Sequence, residues 1–159
     1  MMRTRVLALT LLLAACGGSQ SGPSPQAGPA TPTDAIRRFM QAAADSNLSA
    51  MADLWGTEKG AAGRTREPAD YLKRMEVTQI YLQHVPYKVV RVQPFEGDDR
   101  RQVVDVQLDQ KACMRTVPIV VVHVDKDGWI VNQIDLTKVG SPSRPCKDAG
   151  EDAKAPIRE

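Results

Sequence analysis

Histidine is rare in this chain, free cysteine is rarer than it first looks, and long basic runs are missing. The two histidines, His84 and His123, stand far apart. With the cysteines better used elsewhere, they make no metal-ligand spacing. No Gly-rich loop follows a strand-like stretch, and neither a Ser/His/Asp set nor a Cys–His nucleophile setting is present. Nothing in the pattern calls for a cofactor. The apolar stretch Val6–Leu13 is far short of the ~20 residues that a membrane-spanning helix needs.

That short stretch reads differently in context. Arg3 and Arg5 precede it, and Leu13-Ala14-Ala15-Cys16 closes it, the layout of a secretory signal. The segment "LAAC" resembles the lipobox of bacterial lipoproteins. The resemblance implies cleavage between Ala15 and Cys16 and a diacylglycerol on the Cys16 thiol, with the new amino terminus acylated as well. Two or more acyl chains anchor a protein stably where one does so marginally. The expected partner is therefore the membrane, reached through the lipid on Cys16. The expected address is the bacterial cell envelope, and Gly17 in place of an aspartate favours the outer over the inner membrane.

Removing residues 1–15 also removes the apparent basicity. The chain has 21 Lys+Arg against 19 Asp+Glu, and the leader takes two arginines and no acid, leaving the mature protein formally neutral. Bulk charge thus gives no support for a nucleic-acid partner. Of the three cysteines the lipid claims one, leaving Cys113 and Cys146. In an oxidising compartment an even pair is expected to form a disulfide, worth roughly 3–4 kcal/mol on the chain-entropy model.

Residues 16–33 carry no charge and no large apolar side chain, so a disordered linker is expected there. A folded domain is expected over 34–140 and a largely disordered tail over 141–159. Ile36, Phe39, Met40 and Ala43 recur at helical spacing after Thr33 or Asp34 as a cap. Leu48, Met51, Leu54 and Trp55 form a second stripe after Asn47, and 57–66 is expected as a polar loop. A third helix follows Pro68 to about Gln83, although "VTQIYL" from Val77 also suits a strand. Strands are expected at about Tyr87–Phe95, Arg101–Leu108, Thr116–Val124 and Trp129–Leu136. The last two are joined by Asp125-Lys126-Asp127-Gly128, where glycine can supply a positive φ.

Helices first and a strand meander afterwards make an α+β protein, with N-terminal helices on a curved antiparallel sheet. The stretches "AIRRFMQAAADSNLSAMADLWG" (35–56) and "VDKDGWIVNQIDL" (124–136) resemble the opening helix pair and closing hairpin of the nuclear-transport-factor-2-like superfamily, which includes ketosteroid isomerase. This resemblance implies a cone-like shape whose mouth can hold a small apolar or amphiphilic ligand. No position matches the isomerase's Tyr/Asp/Asp set or the His–Asp pair of its dehydratase relatives. A non-catalytic module binding a small ligand or an envelope protein is therefore expected, and not an enzyme.

Alternation sorts the hairpin into two faces. Pro118, Val120, Val122 and Val124, with Ile130, Ile134 and Leu136, make the face expected to pack on the helices if Val131 lies opposite His123. The other face, Ile119, Val121, His123, Trp129, Val131, Gln133 and Asp135, is mixed and could line a pocket. With Tyr71 and Asp105, its polar members His123, Gln133 and Asp135 are the candidate pocket residues. The alternative reading is a cone-fold isomerase or hydrolase using His123 with Asp105 or Asp135.

Overall fold

A computed structural model describes residues 28–110 and 113–143. The expected acylation and cleavage site at Ala15 and Cys16 and the cysteine Cys146 lie outside the described residues. The chain is mixed α+β. Helix α1 (Pro32–Ala44) and helix α2 (Leu48–Asp53) come first, followed by the two-residue strands β1 (Gly56–Thr57) and β2 (Gly60–Ala61) and a single turn, α3 (Ala62–Thr65). Helix α4 (Tyr71–Leu82) then leads into four strands, β3 (Tyr87–Phe95), β4 (Asp98–Gln110), β5 (Cys113–Val124) and β6 (Gly128–Ile134), and the short α5 (Leu136–Val139). The four long strands form one antiparallel sheet in sequential order.

Helix α1 starts earlier than expected. Thr31 caps it by accepting a hydrogen bond from the Asp34 amide, and Pro32 takes the first turn, where its missing N–H costs nothing. Pro29 is buried, and its carbonyl accepts from the Trp129 amide at 2.9 Å. The linker expected to reach residue 33 thus gives up 28–33 to the folded body. Asn47 caps α2 as its side chain suggests. Beyond it, the expected polar loop holds β1, β2 and α3. In this hairpin the backbones meet so closely that a Cβ on Gly56 would lie 2.2 Å from the Gly60 carbonyl oxygen.

The stretch from Val77 is helical throughout. Tyr71, Met75, Thr78 and Leu82 form the buried stripe of α4. Gln79 and Gln83 both donate to Ser46 Oγ at 3.1 Å, fixing the helix against the turn between α1 and α2. Strands β4 and β5 run on to Gln110 and Cys113, so the polar connection expected up to Arg115 shrinks to the two residues between them. At the other end Gly128 takes φ +70° in the β5–β6 turn, as a tight hairpin requires.

The register corrects the sheet-face assignment. His123 pairs with Trp129, and Val121 with Val131. A register shift next to Val121 places Ile134 opposite Ile119. The helices cover the face made by Val117, Ile119, Val121 and Val131, together with Val104, Val106 and Leu108 of β4. Phe39, Ile36, Met51 and Met75 fill the space between. On the opposite face, Val122 and Ile130 pack with Ala61 in a small second cluster.

Asp127 holds that second cluster shut. Its carboxylate accepts from the Ala61 amide at 2.9 Å and from Arg64 at 2.6 and 3.1 Å. The hydrogen bond from Arg64 chiefly keeps the Asp127 carboxyl below the usual carboxylate range, with partial burial opposing it. A carboxyl depressed in the folded state stabilises the fold above its unfolded pKa, and that contribution is lost as pH falls through the folded value. Asp127→Asn should therefore cost about 1 kcal/mol at neutral pH, the partly exposed arginine keeping the figure small. Urea unfolding at pH 7 and along an acid series checks this: the gap between parent and variant should narrow progressively as the pH falls through the depressed folded value of Asp127. A gap that persists in acid would mean the charge is not what ties the hairpin to Arg64.

Candidate functional site

The expected pocket residues do not converge. Asp105 pairs with Pro118 on β5, and His123 lies five residues further along the same strand. That spacing puts them about 16 Å apart and on opposite faces of the sheet. Asp105 is 9% exposed and accepts from Arg91 at 2.7 and 3.0 Å, so its charge is spent on a cross-strand ion pair. His123 is exposed and packs edge-on against Trp129, with ring centroids 5.2 Å apart. Asp135 caps α5, accepting from the Thr137 amide at 3.0 Å and its hydroxyl at 2.6 Å. The hydroxyl bond leads in holding the Asp135 carboxyl below its ordinary range. Tyr71 begins α4 with its ring in the core and its hydroxyl accepting from Arg66 at 2.8 Å. The proton-transfer pairs His123–Asp105 and His123–Asp135 are not assembled.

Gln133 alone of these lines a groove of suitable size. A cleft of about 390 Å³ runs between α4 and β6, bounded by Trp55, Met75, Val77, Ile134 and Leu136 and reaching polar groups of Lys73, Thr78, Asn132 and Gln133. Small-molecule sites typically measure about 300–1,000 Å³ and set a few polar groups in apolar walls, and this cleft does the same. Its cations differ in state. Arg74 is engaged by both oxygens of Asp70 at 3.0 and 3.1 Å, and that bond chiefly lowers the Asp70 carboxyl. Lys73 makes no ion pair among the described residues. The Asn132 amide donates to the Gly56 carbonyl at 2.8 Å, which fixes the wall on the β6 side.

A larger hollow, about 560 Å³, lies among α1, α2 and the β5–β6 turn, and its lining includes seven charged side chains, most of them already in ion pairs. Its arginines Arg37 and Arg38 share Asp34, and Arg64 holds Asp127. It has no aromatic wall. We therefore place the candidate site in the α4–β6 cleft. Sequence reasoning missed Lys73 and Thr78 there, treated Trp55 as a member of a helical stripe, and took Met75 only as part of the third helix. The signal was present in part: α4 carries an apolar Val77 outside its buried stripe, 40% exposed and on the wall of the cleft.

Among the described residues, no cluster of three or more His, Cys, Asp or Glu is arranged to hold a metal. No helix among them is long and apolar enough to cross a membrane. Searches of protein-family models, curated proteins and solved structures find no match to this chain.

Proposed function

We propose that this chain is a lipoprotein of the bacterial envelope, anchored through acylated Cys16, with a nuclear-transport-factor-2-like, cone-like domain that binds a small amphiphile. The observation that carries the binding reading is the α4–β6 cleft, apolar along Trp55, Met75, Ile134 and Leu136 and cationic at Lys73. An alkyl chain lies along the apolar wall, while an acidic head group meets the lysine. The leader and "LAAC" carry the anchor, and the outer membrane is its favoured site. On this reading the module is a binder and not an enzyme, and the amphiphile is its only small-molecule ligand. Cys113 is disulfide-bonded, and the reading pairs it with Cys146.

The chain contains two tryptophans, so in a Trp129→Phe background Trp55 reports the cleft alone. Titrating the unacylated mature chain with dodecanoate should shift Trp55 emission to the blue. Lys73→Glu should weaken binding about tenfold, equivalent to ~1.4 kcal/mol, while dodecanol should bind both forms alike. An emission spectrum that does not respond to either amphiphile removes the cleft as the ligand site.

A further inference from the structure

Helix α4 brings three charged side chains to one wall of the α4–β6 cleft. Asp70, Lys73 and Arg74 stand at i, i+3 and i+4, so they share one side of the helix, and all three line the cleft. Asp70 holds the N-cap position of α4 yet makes no capping hydrogen bond there. Its carboxylate turns to Arg74 instead, at 3.0 and 3.1 Å. A side-chain cap contributes about 1 kcal/mol to a helix start, and here it is exchanged for an oriented arginine.

Arg74 is held by one nitrogen only. Both Asp70 oxygens take its Nε, whereas Arg64 and Arg91 each give their aspartate a terminal nitrogen as well. The terminal nitrogens of Arg74 make no hydrogen bond among the described residues, and its side chain is 55% exposed. The guanidinium is thus oriented while its end-on fork, two parallel N–H donors, stays open. That fork matches the two oxygens of a carboxylate or a phosphate.

Charge chooses between those two heads. The cleft lining holds two cations and one anion, an excess of one positive charge. Asp135, which lies between two lining residues, is turned onto Thr137 and Lys138 of α5. A phosphate monoester carries nearly two negative charges above its second pKa of about 6, so Asp70 repels it about twice as strongly as a carboxylate. A carboxylate balances the excess. We propose that the cleft selects a fatty carboxylate, gripped by the Arg74 fork, with Asp70 positioning that fork and discriminating against dianionic heads. Lys73 adds attraction as a point charge. The assignment rests on the cleft being the amphiphile site.

The test uses the unacylated mature chain in the Trp129→Phe background, with Trp55 emission read at pH 8. Dodecanoate, dodecyl phosphate and dodecanol are the probes, each below its micelle threshold. Arg74→Lys keeps the charge and removes the fork, so it should weaken dodecanoate about fivefold or more. Asp70→Asn keeps an acceptor for Nε and removes the charge. It should move the ratio of the two anions' affinities toward the phosphate by about threefold or more. Asp70→Ala has the same charge as Asp70→Asn but no acceptor, and should bind dodecanoate about threefold more weakly than the asparagine variant. Dodecanol should bind all four forms alike. The proposal is overturned, and the cleft left standing, if dodecanol still shifts Trp55 while any of those three differences is missing. Silence of Trp55 toward every probe removes the cleft and the proposal with it.

Discussion

Cutting Phe39 back to alanine should cost this domain about 3–5 kcal/mol, the range for removing a large aromatic from a packed core. Phe39 is 1% exposed and belongs to the α1 face that also buries Ala35, Ile36, Met40 and Ala43. That face is what joins the helices to the valine rows of β4 and β5. Neighbours held by a sheet on one side and by two other helices on the other cannot collapse far into the hole, so the cavity term persists. A domain of this size is stable by only about 5–15 kcal/mol, so the variant should lose a large part of its margin. Urea unfolding of the unacylated chain measures it, with Leu72→Ala on the exposed side of α4 as the control. That control should stay within about 0.5 kcal/mol. Equal costs for the two changes would mean that α1 does not pack on the sheet as described.

The order and type of the main elements could be read along the chain because each rests on local signals. Asn47 precedes α2, Gly128 sits at the hairpin turn, and the β-branched runs of β3 to β6 alternate or cluster as strands do. The start of α1 was also written locally, in Thr31-Pro32, but the surrounding linker composition masked it. The face assignment failed for a reason that lies outside the hairpin. Within β5 and β6 both faces are rich in valine and isoleucine, so the hairpin alone cannot choose. Strand β4 chooses: it sets Val104 and Val106 beside Ile119 and Val117, but Asp105 beside Pro118. A carboxylate at that position excludes the helices from the Pro118–Val120 face. The added residue near Val121 then changes the phase of the end of β6, which strict alternation does not anticipate.

The candidate site was legible only at Gln133. Its other walls come from the end of α2, one side of α4 and the start of α5, and no spacing rule connects Trp55, Lys73 and Leu136. The small hairpin over 56–61 was equally hidden. Its short strands have little propensity of their own and are held from a distance, by Asp127 on Ala61 and Arg64 and by Arg101 on Glu58 at 2.6 Å. Polar side chains that look like a solvated loop in sequence become clamps once the turn at 125–127 is brought beside them.

The largest effect expected of any single change comes from Cys16→Ser. In a bacterial host, the parent chain should incorporate labelled palmitate and partition wholly with membranes, while the variant should incorporate none. On the proposed lipoprotein reading the expectation is all-or-none, because a hydroxyl does not stand in for a thiol that is to receive a diacylglycerol. Each buried methylene contributes about 0.8 kcal/mol, so losing every acyl chain removes the anchor outright. Without acylation the leader stays uncut, so the variant should run as the longer precursor. The same variant isolates the two remaining cysteines. Cys113 stands in a disulfide, and once Cys16 is gone the one cysteine left to pair with it is Cys146. Alkylation of the folded, exported, unreduced variant should therefore label neither, and reduction should expose both. Palmitate entering the serine variant would remove the anchor from this account. Two thiols open to alkylation before reduction would remove the pairing, and each result leaves the packing of helices on the sheet untouched.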